Sequence, residues 1–309
     1  MPQRVEKVEG YPSLELLSKQ VVEGFITGLH KSPFHGFSVE FAEHRLYNIG
    51  EETKNIDWKL YARCDKLFVK KYEEETNLRC MLILDSSSSM YYPLVKNVSF
   101  SNPNKIAFSI FSTASLIQML YKQRDAFGIS SLTDHIEFSS DIKSSFAHKR
   151  YVFSLLEQML HDGTVEDKKP TSLSASLHLL AQSVHKRSLI VIFTDLFSSS
   201  FDSKDFVCSL EHLKHQHHEV ILFWVNDRKE EINFDFKNRP YRFIDIETNE
   251  QVKVNALAMR NAYKEKTTKK INSIKTLCGK IGIEFVEADI AKDFNQILLP
   301  FILKRAKMN

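Results

Sequence analysis

Three runs, RCMLILD (79–85), SLIVIFTD (188–195) and EVILFWVND (219–227), are apolar at consecutive positions rather than at alternate ones. A strand with one wet face alternates, whereas a strand covered on both faces does not. A chain with three such strands must cover both faces of a sheet, and the segments between them have helical spacing suited to that task. Residues 104–122 are apolar nearly all round, with Ile106, Phe108, Ile110, Phe111, Leu116, Ile117 and Leu120. Helices are also predicted over 148–160, 172–185, 203–215, 257–278 and 293–305, and a further strand over GIEFVEAD (282–289). Strands alternating with helices give an α/β fold with a central, mostly parallel sheet and helices on both faces.

Two departures from this rhythm are expected to be hairpins. DAFGISSL and HIEFSS are separated by a short turn near 132–135, which makes one strand antiparallel. YRFIDIETNEQVKV, within 231–255, turns at Thr248-Asn249-Glu250. Residues 1–78 differ again. PSLELLSKQVVEGFITGL (12–29) places Leu14, Leu17, Val21, Phe25 and Leu29 at helical spacing, and alternating stretches such as HGFSVEF follow. This divides the chain into an N-terminal helix with a small β-rich module (1–78) and an α/β domain (79–309) with a hairpin insertion near 231–255.

The first two apolar runs each end in an acid that can face one crevice. Behind Asp85 stands DSSSS, with Ser87 and Ser89 at alternate positions; SLIVIFTD ends in Asp195; and PTSL puts Thr171 just before a helix. In an open parallel sheet, ligands bind beyond the carboxyl ends of the strands. Two carboxylates and three hydroxyls there form a hard-oxygen set suited to Mg²⁺, with Mn²⁺ or Ca²⁺ as other candidates. Two aspartates roughly cancel the charge of the ion, which leaves it able to take one more anionic oxygen from a partner.

Other chemistries fit less well. A dehalogenase-type phosphatase needs an acid two residues after Asp85, where Ser87 stands. No GxxxxGK[ST], GxSxG or HExxH motif occurs, and nine glycines are few for a phosphate cradle. A net charge of +3 gives no basic stripe for nucleic acid. The opening MPQRVEKVEG lacks an apolar signal region, and no apolar run has the roughly 20 residues of a membrane span. Cys64, Cys80, Cys208 and Cys278 form no CxxC pair, so reduced thiols in a cytoplasmic protein are expected.

DSSSS, Thr171 and Asp195 resemble, in order and spacing, the metal-ion-dependent adhesion site of a von Willebrand factor A domain. Ser88 stands where such domains often have glycine, at a position that is not a ligand. GLHKSPFHGFSVEFAEHRLYNIGEETKNIDWKLYARCDKLFVKKYEEE, together with HEVILFWVNDRKE and FIDIETNE, resembles the bacterial family called domain of unknown function 58. Within the first of these stretches the resemblance rests on His30, Ser32, Gly36, Glu40, Phe41, Arg45, Tyr47, Gly50, Asp57, Trp58, Arg63, Lys70 and the Glu73–Glu75 run; Glu51 departs from an expected aspartate.

The resemblance implies a Rossmann-like A domain with strand order 3-2-1-4-5-6. It implies a Mg²⁺-dependent, non-enzymatic interaction module. The expected partner offers an acidic side chain and is a MoxR-type AAA+ ATPase or its client, in protein assembly or maturation. Ser87, Ser89 and Thr171 would touch the metal, and Asp85 and Asp195 would hold it largely through water. The alternatives are a metal-dependent phosphoester hydrolase at the same crevice and a structural protein with a vestigial site.

Three polar features have simpler readings. Arg45, Asp57 and Arg63 suit ion pairs within the N-terminal module. His212, His215, His217 and His218 sit where a helix should end, a position favoured by the helix dipole. The lysine-rich face of 257–278 suits solvent, with Ile271, Ile274 and Leu277 toward the sheet.

Overall fold

The computed structural model describes residues 13–30, 44–46, 61, 68–70, 78–95, 98–161, 173–196, 204–245 and 250–306. The chain forms two compact units, Gly24–Asn77 on one side and Met1–Glu23 with Leu78–Asn309 on the other. In the smaller unit, β1 (His44–Leu46) pairs antiparallel with β2 (Phe68–Lys70). Asp57, Trp58 and Arg63 lie outside the described residues, as do Thr248 and Asn249 of the expected hairpin turn.

The larger unit is built on a six-stranded sheet. Its strands are β3 (Arg79–Asp85), β4 (Ala126–Leu132), β5 (Ile136–Ser139), β6 (Leu189–Thr194), β7 (Glu219–Asn226) and β10 (Glu284–Asp289). Across the sheet they run β10-β7-β6-β3-β4-β5, with only β5 antiparallel. Counted within this sheet, that is the 3-2-1-4-5-6 order. The second hairpin, β8 (Pro240–Ile244) and β9 (Gln251–Asn255), forms a separate two-stranded sheet.

Helices cover both faces, which explains the unbroken apolar runs. On one face Met81, Ile83, Ile190, Ile192, Val220 and Leu222 join a cluster with Leu177 and Leu180 of α4 (Leu173–Ser183). Leu210 and Leu213 of α5 (Lys204–His215) and Ile274 and Cys278 of α6 (Ala256–Ile281) complete it. Residues of the opposite parity, such as Leu82, Val191, Phe193 and Phe223, are equally buried. Their side is covered by α2 (Lys105–Lys122) and α7 (Asn295–Ala306), while α3 (Phe146–His161) packs against α2. Each fully buried Leu, Ile or Phe contributes about 1.5–3 kcal/mol relative to exposure, so this two-sided core is the main source of stability.

Helix α1 (Leu14–His30) buries Leu14, Ser18, Val22 and Phe25, while Val21 is half-buried. The centre of its apolar face is thus Val22 and not the expected Val21, since the buried positions follow one another at spacings of four, four and three. Isoleucine 271 and Ile274 of α6 do turn inward, as its spacing predicts. Among the described residues no helix is long and apolar enough to cross a membrane.

Gly128 marks a close approach. A Cβ there would lie 2.9 Å from the Asp141 carbonyl oxygen and 3.2 Å from that of Ser140. Neither backbone atom can move aside cheaply, so Gly128→Ala is expected to destabilise the protein by about 1–3 kcal/mol. A shift in the denaturant midpoint at unchanged slope would measure it; no shift would mean that the 140–142 segment yields.

Candidate functional site

The site begins where β3 ends. Asp85 is fully buried at the end of β3, where its backbone pairs with Leu132 of β4, while the pairing with β6 stops one residue earlier at Leu84 and Phe193. Its Oδ1 accepts the Ser87 amide at 2.9 Å, and its Oδ2 accepts the Thr194 hydroxyl at 2.7 Å. These bonds fold the chain back over the strand end and lead it into a single 3₁₀ turn, Ser88–Tyr91. The turn brings the hydroxyls of Ser87 and Ser89 to 3.1 Å from each other.

The residue just before them in the sequence, Ser86, turns away. Its hydroxyl and that of Ser131 both reach the Glu137 Oε2, each at 2.8 Å. The serine run therefore splits its work. Ser87 and Ser89 face one way over the strand end, while Ser86 ties the loop to β4 and β5.

Asp195 lies one residue beyond β6 and is also fully buried. Trp224 Nε1 donates to its carbonyl oxygen. The next residue, Leu196, has φ +55°, a left-handed conformation that costs a branched residue about 1–2 kcal/mol. The indole bond and the turn together fix Asp195 at the strand end.

The sequence reading missed a cation at this place. Lys105, 1% exposed, sends its Nζ to Asp195 Oδ2 at 2.8 Å and to Glu231 Oε1 at 2.6 Å. It is the first residue of α2, behind the Asn104 cap that accepts the Ala107 amide. A helix N-terminus repels positive charge, so only the two carboxylates account for an ammonium there. Burial alone would lower its pKa; Asp195 and Glu231 outweigh that and raise it. Glu231 comes from a short π-helical turn, Arg228–Ile232, capped by Asp227, and Tyr92 donates to the adjacent Glu230.

Electrostatics single the cluster out. Burial first, then the neighbouring charge of Asp195, pushes Asp85 up to about 7 despite its hydrogen bonds. Glu231 is raised as well, by burial and then by Asp195, against the opposing pull of Lys105. Three carboxyls, Asp85, Asp195 and Glu231, gather at this strand end with the Lys105 ammonium between two of them, an acid-rich setting suited to a cation.

One separation within the donor set suits a small divalent ion. Adjacent oxygen ligands around an octahedral Mg²⁺ at about 2.1 Å lie about 3 Å apart, close to the Ser87–Ser89 separation. Of the residues expected from the sequence, Asp85, Ser87, Ser89 and Asp195 stand at the ends of adjacent strands, and Thr171 lies outside the described residues. Among the described residues no three His, Cys, Asp or Glu side chains converge as a metal cage. An ion would depend on hydroxyls and water as much as on acids.

The histidines of this stretch stand at a helix end, as expected, with His212 and His215 in the last turn of α5. His215 ends α5, His217 adopts φ +62°, and buried His218 accepts the Ser188 amide through Nδ1 at 3.3 Å. His218 is lowered from the usual imidazole value, chiefly by burial.

Among curated proteins, the chain is similar to uncharacterized protein Rv1480 of Mycobacterium tuberculosis and uncharacterized protein Mb1516 of Mycobacterium bovis. Each is 32% identical over 78 residues, 25% of this chain and 25% of the relative. The match thus spans about a quarter of the length of those relatives. Among solved structures, it is similar to the conserved hypothetical protein BatB from Bacteroides thetaiotaomicron, with TM-score 0.44 and 14% identity, over 75% of this chain and 98% of that one. An aerotolerance-related membrane protein from Bacteroides fragilis gives TM-score 0.46 and 17% identity, over 74% of this chain and 99% of that one. The family described as Protein of unknown function DUF58 matches residues 43–273, which include Asp85, Ser87, Ser89, Thr171 and Asp195, and the chain belongs to that family.

Proposed function

We propose that the protein is a Mg²⁺-dependent, non-enzymatic interaction module of the von Willebrand factor A type, acting in the cytoplasm. The observation that carries this reading is the pair of serine hydroxyls 3.1 Å apart over the end of a central strand, beside the buried carboxyls of Asp85 and Asp195. Ser87, Ser89 and Thr171 would bind the ion directly. Asp85 and Asp195 would hold it through water, since both Asp85 oxygens already accept hydrogen bonds. The ion supplies a Lewis-acidic position for a carboxylate of a partner protein. The resemblance described above makes a MoxR-type AAA+ ATPase, or a client it helps to assemble, the proposed partner.

In this reading the protein's own groups orient and compensate. Thr194 fixes Asp85, Trp224 fixes the Asp195 backbone, and Lys105 neutralises part of the acidic cluster. The hydroxyls act as neutral ligands and leave the ion able to accept an anion.

Two measurements test the reading. Mg²⁺ is expected to raise the unfolding free energy of the wild type by about 2.7 kcal/mol at a hundredfold excess over Kd, and to do nothing for Asp85→Ala. Affinity capture from lysate is expected to retain an acidic-surfaced partner with the wild type in Mg²⁺, and to lose it in EDTA or with Asp85→Ala. The same captured set under every condition would overturn the metal bridge. Phosphoester turnover abolished by Asp85→Ala would favour the hydrolase instead.

A further inference from the structure

Away from the strand ends, two imidazoles meet across a helix pair. His178 of α4 and His212 of α5 place their Nδ1 atoms 2.9 Å apart, with ring centroids 5.2 Å apart. Both are half-buried, and α4 and α5 pack through Leu177, Leu180, Leu210 and Leu213 directly beneath them. The helix pair is therefore held by its apolar contacts, and the ring nitrogens are presented to one another by a rigid frame.

Two Nδ1 lone pairs cannot face each other unless a positive centre lies between them. Either one ring donates a proton to the other, or both donate electron pairs to a metal ion. Late transition metals prefer imidazole over oxygen donors. Metal–nitrogen bonds of about 2.0–2.1 Å at angles between octahedral and tetrahedral place two such nitrogens about 2.9–3.3 Å apart. The observed spacing falls at the near end of that span.

We infer that His178 and His212 form a two-imidazole site for a divalent late transition metal, Zn²⁺ being the representative ion. Among the described residues no third His, Cys, Asp or Glu joins the pair, so water completes the shell and the ion exchanges with solvent. The site differs from the hard-oxygen cluster in donor chemistry and does not depend on it. Its placement still gives it a consequence. Helix α4 begins two residues after Thr171, and α5 follows the connection that leaves Asp195. An ion there would staple together the two helices that follow these candidate ligands.

Isothermal titration of Zn²⁺ into the chelator-treated full chain, in buffer containing Mg²⁺, tests the site. One ion per chain is expected, with affinity reduced at least about tenfold in both His178→Gln and His212→Gln. Glutamine keeps a hydrogen-bonding amide at each position, and an unchanged metal-free unfolding midpoint will show that the helix pair survives. His215→Ala and Cys208→Ser are expected to bind as the wild type does. The inference is overturned if the wild type shows no one-to-one isotherm. It is equally overturned if binding persists undiminished in both glutamine variants, or disappears in Cys208→Ser alone.

Discussion

In metal-free buffer, Lys105→Met is expected to lower the unfolding free energy by about 3–5 kcal/mol. Methionine nearly matches the aliphatic stem of lysine, so the loss comes from the charge and not from a cavity. Removing the ammonium leaves the Asp195 Oδ2 and Glu231 Oε1 atoms buried without the donor that now sits 2.8 and 2.6 Å away. Desolvation of an unpaired carboxylate costs more than the pair itself contributes, and here two carboxylates share one cation. Guanidinium unfolding at neutral pH measures the loss. Mg²⁺ is expected to recover more stability in Lys105→Met than it adds to the wild type, since the ion then compensates a larger deficit. A second substitution, Glu231→Gln, should restore part of the stability because it removes one of the stranded charges. If Lys105→Met unfolds at the wild-type midpoint, the buried ion pair contributes nothing and the charge balance of the site has been misjudged.

Lysine 105 also shows where the sequence stops being informative. The sheet was legible because burial on both faces writes itself as unbroken apolar strands, and RCMLILD, SLIVIFTD and EVILFWVND could take few other forms. Strand ends were legible for the same reason, so Asp85 and Asp195 could be placed by the end of the apolar run. The cation could not. A lysine at the first position of a helix normally reads as solvated, and its acidic partners lie 90 and 126 residues further on. One signal was available: the helix from Lys105 is apolar nearly all round, which leaves little solvent-facing surface for any side chain at its start. Thr194 was hidden differently. It precedes Asp195 in a strand whose every residue is buried, and only the register of β6 against β3 brings its hydroxyl to Asp85. The two imidazoles were missed because His178 stands alone in its segment while attention falls on the four histidines around 212–218.

Asp85→Asn is expected to make the metal-free protein more stable at pH 8 while abolishing its response to Mg²⁺. The buried Asp85 carboxyl is pushed up to about 7, first by burial and then by Asp195. A carboxyl whose folded pKa exceeds its unfolded value binds a proton more tightly in the folded state. Its favourable contribution is complete below the unfolded pKa and is lost as pH rises through the folded one. Stability of the metal-free wild type should therefore fall between about pH 4 and 7, by up to about 1.4 kcal/mol per pH unit, and level off above. Asparagine carries no charge, keeps an oxygen for the Ser87 amide and removes that slope. The variant should match the wild type near pH 4 and exceed it by about 2–4 kcal/mol at pH 8. Mg²⁺ reverses the order, because the ion binds the carboxylate form: its stabilisation of the wild type should grow from pH 6 to 8 and be absent in the variant. Thermal unfolding across that range, with Mg²⁺ and with EDTA, gives four curves. A variant no more stable than the wild type at pH 8 in EDTA would show that the Ser87 and Thr194 hydrogen bonds already compensate the buried charge. The carboxylate would then carry no latent demand for a cation, and the metal-binding reading would lose its electrostatic basis.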